Sequence, residues 1–433
     1  MCCAVSRLCI VTPVSIFGAA CAPLMCPSAC LDASRGTADS PVRSGPQRAV
    51  GVYWRNRATG KLSRGLVTTR GRAESMNSTE TEISAQQIIA AMPKVELHLH
   101  LDGCLRLPTI AELAVQQDVN LAVPGHLVGK LCGAPVHCHD LAEVLSYFAT
   151  PLRVLQTASA LERVTYELCE DLASENVRYV EIRFGPSLHT NDGMNLHQVI
   201  DAVVRGWHAG REAFGLHGGI ILCALRHMPP AETMVVARAG IPFLGNGVVG
   251  FDLAGDEAGF PILLHRDPLL WAKSAGYGMT AHAGEGAGAE SVRNAVEVIG
   301  VSRVGHGVRA EDDPSLLPML RERAICLDMC PTSNVQTKSV TGFEQHPAAR
   351  YYRYGLRVTL SSDNRTVADT NVTRELLLGY ERMGLDVPEL AAMTFMALEA
   401  GFGEKSERQT LVREFRLEMD QLGVRPASAA IRE

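Results

Sequence analysis

Four side chains in this sequence have the types and spacing of a metal site. His98 and His100 end the apolar run KVELHLHL. His282 lies in AHAGEG, and Asp363 lies in SSDNR. Residues i and i+2 of a strand point to the same face, so the two imidazoles of the H-x-H pair project together. That pair alone is equally consistent with hydrogen-bonded core histidines, but a third histidine and an aspartate at two other strand ends favour a ligand set. Three imidazoles and one carboxylate suit one zinc ion per chain and leave a position for water.

Two further side chains predict what such a site would do. Zinc lowers the pKa of a bound water to about 7, which makes hydroxide available at neutral pH. Glu285 lies three residues after His282, where it is free to act as an acid, and His306 could orient or deprotonate the water. A proton donor facing a metal-activated water is what hydrolysis at an aromatic C–NH₂ carbon requires. The alternative for Glu285 is a stabilising carboxylate at a helix N-terminus.

Motifs that the sequence lacks narrow the class of site. Binuclear barrel hydrolases bridge their metals with a modified lysine after the fourth strand, where this chain has GFDLAGDE, so a single metal is favoured. The H-x-E and P-C-x-x-C signature of the cytidine deaminase type of zinc site is missing. The run GEGAGA matches a permissive dinucleotide-binding pattern, but it lies in the fifth strand unit rather than the first, so no nicotinamide cofactor is predicted.

The elements that must position these residues alternate between short apolar runs and helical stretches. This alternation predicts an α/β fold, a (β/α)₈ TIM-type barrel whose catalytic residues lie at the C-terminal ends of the strands. A helical insertion with a loop near 124–139 is predicted after the first strand, at 105–160. The eight predicted strands are 94–101, 177–184, 218–225, 247–254, 278–284, 303–308, 324–330 and 356–363.

Composition is that of a soluble globular protein. The chain has 433 residues, a hydrophobic fraction of 46% and a net charge of -6, which gives no electrostatic footprint for nucleic acid. The scattered spacing of its later cysteines predicts free thiols in a cytoplasmic protein. No membrane partner is predicted, and the sequence does not indicate an oligomeric state.

Residues 1–80 are predicted to lie outside the catalytic domain. Residues 31–75 are rich in Arg, Gly, Ser and Thr and show no sustained apolar period, which predicts a disordered extension or a start codon assigned too far upstream. A targeting peptide at 8–25 is the alternative, although that stretch has two prolines and one preceding positive charge. The (β/α)₈ catalytic domain is then predicted at 81–425, with a C-terminal tail at 426–433.

Taken together, the motifs KVELHLHLDG, VVGFDLAGDE, AHAGEG, VGHGV, CPTSN and SSDNR resemble the adenosine deaminase family, and more closely its bacterial members. The resemblance extends over about residues 83–420. It implies the same zinc ligands, Glu285 as proton donor to the purine ring and His306 as activator of the water. It also implies that His100, Asp102 and Gly255 contact the substrate, Asp102 at a ribose hydroxyl and Gly255 at the purine edge. The implied reaction is hydrolysis of adenosine or 2′-deoxyadenosine to inosine or 2′-deoxyinosine, with release of ammonia, in purine salvage.

One position departs from the family pattern, in which a second aspartate follows the metal-binding one. Here that position is Asn364. An aspartate donates to a purine nitrogen only when it is protonated, whereas the Asn364 amide always carries a donor. The departure leaves adenine or a modified adenosine such as aminodeoxyfutalosine as alternative substrates. A catalytically inactive binding protein is the alternative of another class, and lost ligands would have favoured it.

Overall fold

The structure is a computed structural model that describes residues 83–136 and 138–428, together with two short strands nearer the N-terminus. Those strands, Val52–Arg55 and Leu62–Gly65, pair antiparallel. The rest of the predicted extension, including the possible targeting peptide, lies outside the described residues. The boundaries at 80 and 425 therefore stay predictions. Within the predicted C-terminal tail, the Ala427 N–H donates to the Pro388 carbonyl at 2.9 Å.

Eight parallel strands form a barrel, which confirms the predicted fold class. Each strand pairs with the next along the chain. A bridge between Leu99 and Asp363 closes the ring, because the Asp363 N–H donates to the His98 carbonyl at 2.9 Å and the His100 N–H donates to the Asp363 carbonyl at 2.8 Å. The strands are β1 (Lys94–His100), β2 (Val177–Phe184), β3 (His217–Leu225), β4 (Val248–Ala254), β5 (Gly278–Ala283), β6 (Arg303–His306), β7 (Cys326–Met329) and β8 (Arg357–Leu360).

Helices surround the barrel, and local sequence signals fix several of their ends. A capping box of Asn195 and Gln198 starts α7, and Gly215 ends it in a left-handed conformation with φ +67°. The helices are α1 (Ala85–Ala91), α2 (Leu107–Gln116), α3 (Gly129–Cys132), α4 (Leu141–Ser146), α5 (Ala149–Val154), α6 (Ala158–Ser174), α7 (Leu196–Phe214), α8 (Pro230–Gly240), α9 (Arg266–Ser274), α10 (Ala289–Asn294), α11 (Leu316–Glu322), α12 (Pro331–Gln336), α13 (Ala348–Tyr354), α14 (Val372–Arg382), α15 (Val387–Ala400) and α16 (Lys405–Gln421). A π-helical turn, Ala295–Ile299, continues α10.

The predicted insertion after β1 consists of helices α2 to α5 and the start of α6. Its predicted loop contains a 3₁₀ turn, Gly125–Leu127, as well as α3.

None of the helices in the described part of the chain has the length and apolar composition needed to span a bilayer. The seven cysteines in this part are free thiols and all are buried.

The barrel interior carries a chain of alternating charges beneath the strand ends. Arg183 on β2 donates to Asp252 on β4 at 2.9 Å and lies 4.0 Å from Asp328 on β7. Asp328 in turn pairs with Arg303 on β6 at 3.0 Å, and Arg303 pairs with Glu181. All five side chains are fully buried. Because a buried charge needs a partner, these pairs tie four strands together across the barrel.

Candidate metal centre and active site

The four sequence-predicted metal ligands come together at the C-terminal mouth of the barrel. The Nε2 atoms of His98 and His100 each lie 3.1 Å from Nε2 of His282. Oδ1 of Asp363 lies 3.4 Å from the Nε2 atoms of both His98 and His100. Zinc with bonds of about 2.0–2.1 Å at tetrahedral angles would separate its ligand atoms by about 3.3 Å. The spacing of these four donors therefore fits a zinc ion.

The protonation states of this cluster also fit a cation. Burial lowers the pKa of His98 well below its ordinary value and that of His100 to about 4, so both imidazoles are neutral and keep a lone pair. Burial alone would raise the pKa of Asp363, but its hydrogen bond with His98 holds that pKa well below its usual range. Lone pairs facing one another at such distances repel unless a cation or a proton lies between them.

Asp252, at the end of β4, orients one of the ligands. Its Oδ2 lies 3.1 Å from Nδ1 of His282, and Arg183 holds the same carboxylate from below. A proton on Nδ1 of His282 leaves Nε2 free to bind metal, the arrangement found behind many metal-bound histidines. No role was assigned to Asp252 from the sequence, although a carboxylate near the C-terminal end of a barrel strand is typical of active-site residues in this fold.

Local backbone geometry lets the cluster form. His306 and Asp363 both have positive φ values, +64° and +61°, which L-residues adopt only where the surroundings enforce them. A Cβ atom on Gly305 would lie 2.8 Å from Cε1 of His98. A glycine before His306 is therefore needed to make room for the His98 ring.

Glu285 and His306 lie beside the cluster, as a pair. Nε2 of His306 is 3.4 Å from Oε2 of Glu285, and the His306 ring centroid is 4.7 Å from that of His98. Burial raises the pKa of Glu285 well above its ordinary value, and the carboxylates of Asp363 and Glu257 add to the effect. Burial lowers the pKa of His306 to about 3. A neutral imidazole and a protonated carboxyl therefore face each other.

Asn334 of the CPTSN motif sets the tautomer of His306. Asn334 Oδ1 accepts the Cys330 N–H at 3.2 Å and lies 3.1 Å from Nε2 of His346, so its amide nitrogen faces Nδ1 of His306, at 3.0 Å. Nδ1 of His306 then accepts a hydrogen bond, and the proton of the neutral ring lies on Nε2. No feature of the sequence indicated that Asn334 contacts His306.

A cavity of about 240 Å³ lies at the metal-ligand cluster. Its lining includes the other three predicted substrate contacts, Asp102, Gly255 and Asn364. Asp102 accepts from Gly185 N–H at 3.2 Å and lies 2.8 Å from Nε2 of His189, a partner that sequence reasoning missed. Gly255 has φ +100°. The buried Oδ1 of Asn364 has no hydrogen-bond partner within the described chain. Apolar side chains of the insertion form one wall: Leu141, Val144, Leu145, Phe148 and Leu152.

A buried carboxyl beside a cluster of potential metal ligands, at the C-terminal mouth of a (β/α)₈ barrel, is typical of the metal-dependent hydrolases built on this fold. The family model described as adenosine deaminase matches residues 93–416. The chain belongs to the adenosine deaminase family.

Relatives and solved structures agree with this assignment. An adenosine deaminase of Shewanella halifaxensis is 40% identical over 328 residues, which cover 74% of this chain and 98% of that protein. One of Clostridium perfringens is 38% identical over 321 residues, covering 74% and 97%. An adenine deaminase of Arthrobacter aurescens superposes with a TM-score of 0.72 at 26% identity, covering 76% of this chain and all of that one. The N6-methyl-AMP deaminase of Arabidopsis thaliana has a TM-score of 0.69 at 25% identity, covering 78% and 99%.

Proposed function

We propose that this chain hydrolyses adenosine and 2′-deoxyadenosine to inosine and 2′-deoxyinosine, releasing ammonia, as part of purine salvage. The observation that carries the proposal is the His98–His100–His282–Asp363 cluster with Glu285 beside it in one cavity. The named adenosine deaminases at about 40% identity support the nucleoside as substrate.

His98, His100, His282 and Asp363 would hold one zinc ion. Zinc bound there supplies the Lewis acidity that makes a water molecule nucleophilic at neutral pH. Glu285 enters the reaction protonated, because burial raises its pKa. It donates that proton to a ring nitrogen of the purine as water adds to the adjacent carbon. One proton of the water ends on the leaving ammonia, and the other returns to the Glu285 carboxylate as the new carbonyl forms.

His306 acts on the water by orienting it. Because Asn334 donates to Nδ1, the Nε2 atom of His306 carries a proton and presents a donor rather than a free lone pair. This contact favours orientation over proton abstraction, the two roles that the sequence left open. The pairing of Nε2 with Glu285 aligns both groups on one side of the cavity.

Asp102 would accept a hydrogen bond from a free ribose hydroxyl. His189 and the Gly185 N–H fix its carboxylate at the cavity wall, and an anionic 5′ substituent would be repelled there. Asn364 would donate to a purine nitrogen, and its side chain is held against Gly103, where a Cβ would lie 2.1 Å from Oδ1. These contacts support a nucleoside over the free base.

Metal analysis of the purified chain, combined with an ultraviolet assay of adenosine conversion, tests the proposal. About one zinc per chain and turnover of adenosine are expected. A panel of adenine, AMP and aminodeoxyfutalosine tests the alternatives by ammonia release. Turnover of adenine or of an extended nucleoside without turnover of adenosine would contradict the assigned substrate. The seven buried free cysteines in the part of the chain that the structure describes support a proposed reducing, cytoplasmic location.

A further inference from the structure

A second, buried glutamate, Glu257, accepts backbone hydrogen bonds from the turn that carries Glu285. Glu257 follows β4 and is 2% exposed. Its Oε1 accepts the Gly284 N–H at 2.7 Å. Its Oε2 accepts three successive N–H groups, those of Glu285 at 2.9 Å, Gly286 at 2.7 Å and Ala287 at 3.0 Å. Successive backbone N–H groups that converge in this way form an anion-binding nest, and here the anion is the chain's own side chain.

The backbone of this turn can form because Gly284 has φ +74°. A Cβ at that position would lie 2.7 Å from a methyl group of Val292. On the preceding residues, the buried Arg226 donates to the His282 carbonyl at 2.5 Å. The segment between the metal ligand and Glu285 is therefore held by Arg226 at one end and by Glu257 at the other. Once these contacts are made, only the side-chain torsions of Glu285 are left to place its carboxyl.

We infer that Glu257 is a positioning residue for catalysis, one that fixes the carboxyl of Glu285 through the backbone of residues 284–287. Glu257 is not among the residues lining the substrate cavity, so it acts on the substrate only through Glu285, by holding this turn and by placing its charge near the Glu285 carboxyl. A misplacement of about 1 Å can cost about a hundredfold in rate. The inference rests on the proposed role of Glu285 as proton donor.

A purely structural role is the competing explanation, because any buried carboxylate with four donors stabilises the fold. The two roles differ in their kinetics. A structural role would change stability, or change substrate and zinc binding together with turnover. A positioning role changes kcat alone, because it acts on a proton transfer that occurs only in the transition state.

The test uses the zinc-loaded full chain carrying Glu257→Gln. A glutamine has only one acceptor oxygen, and its NH₂ group would face backbone N–H groups that also need acceptors. Hydrogen bonds that hold residues 284–287 are therefore lost. We expect kcat for adenosine to fall at least tenfold, with KM and zinc content within twofold of wild type. Glu389→Gln is the matched control, since Glu389 is another buried carboxylate that accepts a backbone N–H, from Asp386 in the capping box that starts α15. It should keep wild-type kcat.

A double-mutant cycle with Glu285→Gln separates the two roles. If Glu257 acts only through Glu285, adding Glu257→Gln to Glu285→Gln should change kcat by less than twofold. A full additional loss in the double variant, or a single variant with wild-type kcat, would overturn the inference. So would a rise in KM or a loss of zinc in Glu257→Gln. If Glu257→Gln does not fold, Glu257→Asp, which keeps the charge but shortens the reach, enters the same cycle. Full activity of Glu285→Gln would instead overturn the proton-donor role itself.

Discussion

Glu285 combines a protonated carboxyl with a fixed place beside His306. We expect Glu285→Gln to lower kcat by about 10²- to 10⁴-fold, the usual contribution of a general acid, because the amide cannot give up a proton. Zinc content should stay unchanged, since Glu285 is not in the ligand cluster. Metal analysis and steady-state kinetics measure the two effects. His282→Ala is the comparison variant and should lose zinc and activity together. Loss of zinc from Glu285→Gln would indicate that Glu285 is a metal ligand rather than the proton donor.

The raised pKa of Glu285 also sets the pH dependence of turnover. The acid must be protonated to act, so kcat is retained above the ordinary value of 4.5 and is lost as pH rises through the raised pKa. A kcat–pH profile of the zinc-loaded chain measures this descending limb. A limb that already falls near pH 4.5 would show that burial does not keep Glu285 protonated.

Asp252 shows how an unassigned residue can control a metal ligand. Asp252→Asn weakens the acceptor that holds Nδ1 of His282 and removes the charge that pairs with Arg183 at 2.9 Å. We expect zinc to bind about 10- to 100-fold more weakly, as measured by competition with a chelator. Asp256→Asn is the control just beyond the same strand end, because Asp256 accepts the nearby Gly259 N–H and is not in the predicted ligand cluster. Equal affinities in the two variants would contradict the orienting role.

At the scale of elements, the strands were readable because parallel barrel strands are buried on both faces and give continuous apolar runs. The predicted second strand, 177–184, matches β2 at both ends. The ligand set followed from the same pattern, since strand ends share one mouth. The contacts that the prediction missed, such as Asp102 with His189, join residues far apart in sequence. No local period encodes such a pairing, and only the closed barrel brings the partners together.

Helix α14 illustrates an element whose anchoring depends on pH. Its Glu375 accepts from Thr332 and Thr370, and burial raises its pKa to about 7. The folded chain therefore binds more protons here than the unfolded chain between about pH 4.5 and 7, and the free energy of unfolding falls as pH rises through that window. We expect Glu375→Gln to remove this component, which is on the order of 3 kcal/mol. Melting temperatures at pH 5 and pH 7 measure it; an unchanged pH dependence would contradict it.

At the scale of the whole molecule, the proposed metal ligands come from the first, fifth and last strands of the barrel or the residues that follow them. His98 and His100 lie on β1 and Asp363 follows β8, at the bridge that closes the ring. A ligand that binds only the folded state stabilises it, by about 2.7 kcal/mol at a hundredfold excess over Kd. We therefore expect chelation to lower the melting temperature and zinc to restore it. His282→Ala should show a much smaller shift. An equal shift in both chains would place the stabilising ion elsewhere.

The position of that closing bridge has a consequence for how the protein is made. Because the ribosome delivers β1 hundreds of residues before Asp363, a growing chain presents two histidines long before the acid ligand exists. The full four-ligand set, and with it the capacity to capture the ion tightly, arises only after the last strand has emerged and joined the first. Maturation of the enzyme is thereby tied to completion of its synthesis.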